Sequence, residues 1–294
     1  MFTIRISSAH IVNVILETDM TLDVDDVGAL AVVHALADRN EARLLGVSFN
    51  EIHPDGVRAI TAINAWYDRI ETPIAQFTGT LQNPDESRYL SYLAKMLDES
   101  IHVEALDAMD FYEETLSSQQ DQSVTIVSLG FLNNLADLLR KHPSLVKQKV
   151  RRLIAMGGKV NDNFNFVRHG LVDESQFVIA RWPTQLVVTD FGGDLYTGVS
   201  LSSTSTNNPV REAYFRWFDG SIKGRSSWDQ IAVLVGVRGE AGDFDFVGDL
   251  TGRLQNGFTW QFDGKHRAYA RPTKSRDFYI KEIEALMSIE PRAY

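Results

Sequence analysis

Val14-Ile15-Leu16-Glu17-Thr18-Asp19-Met20-Thr21-Leu22-Asp23-Val24-Asp25-Asp26-Val27-Gly28-Ala29-Leu30 is the stretch on which the reading of this chain turns. An apolar run of strand length, Ile11 to Leu16, leads into a polar loop. A helical pattern then follows from Val27 to Ala37, with Leu30, Val33, His34 and Ala37 at helical spacing. Strand, acidic loop and helix thus succeed one another within about two dozen residues.

The same rhythm continues outward from that start. Arg43 to Phe49 reads as a strand and Val57 to Tyr67 as a helix, with Ile74 to Phe77 a short third strand. Ser123 to Leu129 is a buried-strand pattern backed by a helix from Leu132 to Leu139. Leu153 to Met156 and Leu186 to Thr189 are two more strands, separated by a helix over Asp173 to Arg181. Alternation of this kind predicts an α/β fold with a mostly parallel central sheet flanked by helices. The last quarter changes character: Asn256-Gly257 between Arg253-Leu254 and Phe258-Thr259-Trp260-Gln261 predicts a C-terminal β-hairpin appendage. Lys281 to Met287 reads as a closing helix. With no repeat, low-complexity tract or linker, residues 1–294 are expected to form one domain.

Composition narrows the function classes. There is no cysteine, so disulfides, thiolate metal sites and cysteine nucleophiles are excluded. The net charge is −10 with the acidic residues dispersed, which argues against binding a nucleic-acid backbone. No apolar run approaches the length of a membrane span. Met1 to Ile6 lacks the pattern of a secretory leader, and a cytoplasmic location is the expectation.

Asp19, Asp23, Asp25 and Asp26 crowd four carboxylates into eight residues at a strand-to-helix junction. Like charges this close repel, and a hard divalent cation, which prefers carboxylate oxygens, removes the conflict. A plain N-cap is the competing explanation for one aspartate, but not for four. In open α/β sheets the loops beyond the strand carboxyl ends are also where ligands bind. An EF-hand reading fails, because Val24 stands at the glycine position and Leu30 at the bidentate glutamate. Glu17-x-Asp19-x-Thr21 resembles the DxDxT loop of haloacid-dehalogenase phosphatases, with glutamate in the nucleophile slot.

Taken together, the motifs resemble the inosine-uridine-preferring nucleoside hydrolase family, and within it a bacterial branch. Thr18 to Leu30 is similar to an opening TD-x-G-x-DVDD-x-x-AL motif, with Thr21 in place of glycine. Ser128-Leu129-Gly130-Phe131-Leu132-Asn133-Asn134-Leu135-Ala136, Met156-Gly157-Gly158, Phe164-Asn165 and Ser227-Trp228-Asp229-Gln230 follow in the family's order. The resemblance implies a calcium ion (Ca2+) bound by Asp19, Asp26, Asp229 and the backbone carbonyl of Asn133. It implies ribose binding by Asp25 and Asn165, with Asn50 a further candidate. Asn163 stands where the family commonly has glutamate, which alters one acceptor for a sugar hydroxyl. Self-association as a dimer or tetramer is likewise implied.

The implied reaction is hydrolysis of a ribonucleoside or related N-riboside to free base and ribose. Asp19 or Asp25 would accept the proton of the attacking water. No histidine precedes Asp229; Trp228 stands there and could stack on the base or line the pocket. His169 and His53 lie on loops where either could serve as a proton donor, whereas His34 reads as structural. The loops Thr78 to Tyr89 and Leu195 to Asn208 are expected to shape the pocket. Two alternatives stay open: a calcium-dependent ribosyl-binding protein with lost or altered catalysis, and a phosphatase built on Glu17-x-Asp19-x-Thr21.

Overall fold

The computed structural model of this protein describes residues 11–290; Met1 to Ile6 and His10 lie outside the described residues. The first strand, β1 (Val12–Thr18), occupies the middle of a large sheet, between β2 (Ala42–Phe49) and β5 (Val124–Ser128). Beyond β2 lie β3 (Ile74–Gln76) and β4 (Leu106–Asp107). Beyond β5 lie β6 (Val150–Met156), then β8 (Gln185–Thr189); the short β7 (Val160–Asp162), between them in sequence, pairs farther out in the same sheet. All of the pairings from β4 through β8 are parallel.

Burial on both faces explains the apolar centre of β1, Val14 to Leu16. Val14 and Leu16 enter the core on one face of the sheet, and Ile15 enters the core on the other. Strand segments buried on both faces read as continuous hydrophobic runs. One face is covered by α1 (Asp25–Asp38) and α2 (Gly56–Trp66), together with α3 (Leu90–Met96). The opposite face carries α4 (Ala108–Ser117), α5 (Asn133–Lys141), α6 (Pro143–Lys149) and α7 (Val172–Arg181). The short pair β9 (Tyr196–Thr197) and β10 (Arg225–Ser226) forms a separate two-stranded sheet. Around it, α8 (Pro209–Trp217) and α9 (Trp228–Arg238) return the chain to the first face.

The expected hairpin is present, formed by β11 (Phe244–Leu254) and β12 (Thr259–Asp263). It continues the sheet rather than standing apart from it. β11 also pairs with β13 (Arg267–Pro272), which lies parallel to β8, and α10 (Arg276–Met287) then packs against α1. The sequence pattern missed α3, α4, α6, α8, α9 and β13. The last three belong to the same late region, where short elements give too few turns for a clear period.

Strand order places the functional crevice. From β1 the chain moves outward through β2 to β4, then returns to β5 on the other side of β1 and moves outward again. The order reverses between β1 and β5, and such a switch point opens a crevice at the strand carboxyl ends. Asp19 follows β1 there, and Leu129 follows β5.

Candidate active site

Three helices start at this end of the sheet. Asp25 and Asp26 open α1, Asn133 opens α5, and Asp229 lies in the first turn of α9. Helix amino ends carry partial positive charge and tolerate carboxylates, which eases the crowding without abolishing it. Asp25, Asp26 and Asp229 each offer a carboxylate oxygen within 4.8 Å of the others. Packing of α1 on α9 closes the gap of about two hundred residues between them. It is close because Gly28 has no side chain: a Cβ there would lie 2.3 Å from Nε2 of Gln230.

All three carboxylates are buried, as is Asp19. Burial first, then repulsion from Asp26, pushes the Asp19 carboxyl well above the usual range. Burial and the charges of Asp23 and Asp26 do the same to Asp25, and burial with Asp25 and Asp26 to Asp229. Burial pushes Asp26 up to about 7, against the hydrogen bond that Thr18 Oγ1 donates to its Oδ1 at 2.5 Å. An isolated set of this kind resists ionisation, and a bound cation reverses that preference.

The donor set fits a hard cation. Among the pocket-lining residues, Asp25 Oδ2, Asp229 Oδ1 and Asn165 Oδ1 are buried acceptors without a hydrogen-bond partner. Every one of these atoms is oxygen, the ligand type of calcium or magnesium rather than of a soft metal. Buried acceptors without donors are costly unless something positive or hydroxylic meets them.

The surrounding pocket encloses about 900 Å³. Of the residues singled out in the sequence, Asp19, Asp25, Asp26, Asn163, Asn165, Trp228 and Asp229 line it. Asn165 is fixed by donating Nδ2 to the carbonyls of Leu129 (2.5 Å) and Met156 (3.3 Å), so its Oδ1 faces away from them. Asn163 is exposed at the rim. Asn50 and Asn133 instead brace each other behind the wall. Asn133 Nδ2 donates to the Asn50 carbonyl at 2.9 Å, and Asn50 Nδ2 to the Phe131 carbonyl at 2.8 Å. Thr21, in the place of a glycine, turns its hydroxyl onto the Asp19 carbonyl at 2.8 Å.

Asp23, the fourth aspartate of the acidic loop, is paired with an arginine that the sequence reading did not single out: Arg225 Nε donates to it at 2.9 Å, and it accepts from the Val24 amide. The Arg225 guanidinium lies 5.3 Å from the Trp217 ring and 4.9 Å from the Trp228 ring, joining both aromatics to the acidic loop. Only proximity to Trp228 in sequence hinted at Arg225. Of the two loops expected to shape the pocket, Thr78 to Tyr89 supplies Arg88, and Leu195 to Asn208 supplies no lining residue among the described ones. His169 lies behind the wall, its side chain 4% exposed and not part of the lining. His34 is buried on α1 against Asn64, a structural role as expected.

Glu17, the nucleophile of the phosphatase alternative, is fully buried on β1. It accepts from Tyr112 at 2.7 Å and Ser48 at 3.2 Å, and burial pushes its carboxyl up to about 8. It lies inside the protein, outside the pocket lining, and that alternative fails.

The fold matches known structures over almost its whole length. An inosine-uridine preferring nucleoside hydrolase from Bacillus anthracis superposes with a TM-score of 0.70 at 15% identity, covering 95% of this chain and 99% of that one. A purine-preferring ribonucleoside hydrolase from Gardnerella vaginalis gives 0.70 at 16%, covering 94% and 98%. The type III effector XopQ, solved in complex with adenosine diphosphate ribose, gives 0.69 at 13%, covering 95% and 92%. A search of curated proteins finds no match. The family model for inosine-uridine preferring nucleoside hydrolases matches residues 14–170, more than half of the chain. That span includes the acidic loop and Asn165, and the fold adds Asp229 to them. The chain belongs to the inosine-uridine preferring nucleoside hydrolase family, hydrolases that act on N-glycosyl compounds.

Proposed function

We propose that this protein hydrolyses the N-glycosidic bond of a ribonucleoside or related N-riboside in a calcium-dependent reaction. The observation that carries this reading is the convergence of Asp25, Asp26 and Asp229 beside Asp19 at the sheet's switch point. Asp19, Asp26, Asp229 and the Asn133 carbonyl are the proposed ligands, with Asp25 shared between ion and sugar. Calcium held there supplies Lewis-acid polarisation of a water molecule and a template for the sugar diol.

The chain's own residues do the rest. Asp19 or Asp25 accepts the proton of the attacking water; both line the pocket. Neighbouring carboxylates favour the positive charge that develops on the ribosyl group. Asn165 offers its free Oδ1 to a sugar hydroxyl, and Asn163 offers a neutral amide at the rim. Trp228 and Trp217 provide ring faces for a base. Asn50 supports this arrangement by bracing the Phe131 carbonyl and not by touching the sugar.

The pocket's size and the effector's adenosine diphosphate ribose complex favour testing N-ribosides larger than nucleosides as well. A single domain spanning residues 1–294, assembling as a dimer or tetramer, completes the proposal. Asp26→Asn should lose calcium affinity and turnover together, read by calorimetry and by reducing-sugar release from a nucleoside panel. Full turnover of that variant in excess chelator refutes the metal role. Calcium and ribosyl binding with no turnover by the unaltered protein would instead favour the binding-protein alternative.

A further inference from the structure

Behind the pocket wall a second group of potential metal ligands meets, independent of the aspartate pocket. Glu51, just after β2, Asp85, between β3 and α3, and His169, in the turn after β7, each direct a ligand atom to one point within 4.8 Å of the others. The side chains of Glu51, His169 and Asp85 are 0%, 4% and 11% exposed.

The histidine is what makes this more than an acidic cluster. Its Nδ1 lies 2.9 Å from the Gln82 carbonyl, which can only accept, so Nδ1 carries the proton. That leaves the Nε2 lone pair aimed between the two carboxylates, 3.5 Å from Asp85 Oδ2 and 3.9 Å from Glu51 Oε1, and without a hydrogen-bond partner. An imidazole whose far nitrogen is pinned by a backbone carbonyl is the usual arrangement of a metal-ligating histidine. A four-coordinate ion with bonds of about 2.0–2.1 Å separates its ligand atoms by about 3.4 Å, close to the spacing observed.

The other groups around the point are accounted for. Glu51 accepts the amides of Ile52 at 2.8 Å and Asp85 at 3.1 Å, and Arg168 pairs with Asp85. With neutral His169, the formal charge of Glu51, Asp85 and Arg168 is −1, so the site attracts a cation. Phe131 closes one side, its ring 4.6 Å from the imidazole.

We propose that Glu51, Asp85 and His169 form a second cation site, selective for a transition metal of the zinc class. One imidazole with two carboxylates suits zinc better than calcium, which takes oxygen alone. An ion here ties together three loops behind the substrate pocket. It also fixes Arg168, which lines that pocket from the next position in the chain.

The test uses the full protein, stripped by chelator and dialysed against zinc in excess calcium, which keeps any all-oxygen site filled. About one zinc per chain is expected in the unaltered protein and in Asp229→Asn, which changes only the aspartate pocket. Binding should weaken at least tenfold in His169→Gln and in Glu51→Gln. X-ray absorption at the zinc edge of the unaltered protein should show one imidazole among oxygen ligands, a readout that needs no variant to fold. Zinc binding unchanged in His169→Gln, an all-oxygen zinc shell, or no zinc bound at all would overturn the proposal.

Discussion

Thr18 Oγ1 donates a hydrogen bond to Asp26 Oδ1 at 2.5 Å, so the last residue of β1 holds the second residue of α1. The bond occupies one oxygen and orients the other. Second-layer partners of this kind commonly contribute 10–100-fold in metal affinity. Thr18→Val should therefore weaken calcium binding by about that factor, with kcat/KM falling in step, whereas Thr18→Ser should keep both. Titration calorimetry with nucleoside assays at saturating calcium measures the pair. Equal affinity in the valine variant would show that Asp26 needs no such support.

Gly130 makes room for Asp19. A Cβ at this position would lie 2.5 Å from Asp19 Oδ1, and the residue has no positive φ that would demand glycine for other reasons. Gly130→Ala should displace Asp19 as a whole, since the added Cβ would also lie 2.7 Å from the Asp19 Cβ. Misplacing a reacting group by an ångström costs about a hundredfold in rate, and that is the expected loss in kcat. The melting temperature should fall as well, because overpacking costs about 1–3 kcal/mol, so kcat is read on the folded fraction. Parent-like turnover would remove Asp19 from the chemistry.

The acidic loop and most of the parallel sheet were legible because the centres of β1, β2 and β5 are buried on both faces and are therefore mostly apolar. Asp229 was legible only as part of a motif: nothing in its spacing brings it to Asp26, which depends on α1 packing against α9 across Gly28. The contact that Asn50 Nδ2 makes with the Phe131 carbonyl was not legible, because a strand-end asparagine looks the same whether its amide meets a sugar or a backbone carbonyl. Arg225 had no signal beyond its nearness to Trp228 in sequence, and Trp217 had none, since the two meet only in three dimensions. The hairpin turn was plain from Asn256-Gly257, but β13, which fuses it to the sheet, shows no distinct pattern of its own.

Trp228 and Trp217 share the Arg225 guanidinium, and Arg225 is in turn held by Asp23. If these rings receive the base, their removal should affect binding more than chemistry. Trp228→Ala is expected to raise KM about tenfold for purine nucleosides, in line with the strength of base–aromatic stacking. The kcat should change little. A loss confined to kcat would place Trp228 at leaving-group activation instead.

Glu17 and His34 set opposite pH dependences on stability. Burial pushes Glu17 from 4.5 up to about 8, so between those values the folded protein keeps a proton that the unfolded chain has released. Stability from this group is complete at low pH and is lost as pH rises toward about 8. His34 is lowered by burial from 6.5 to about 4, so its contribution is present above 6.5 and is lost as pH falls toward about 4. Above 6.5 the slope due to Glu17 stands alone between these two, at most about 1.4 kcal/mol per pH unit. Glu17→Gln keeps the shape and removes the titration. In urea unfolding with excess calcium, the stability advantage of the variant over the parent should widen from about pH 6.5 to about pH 8 and then level off. Parallel curves for the two proteins across that window would mean that Glu17 is already ionised inside the fold.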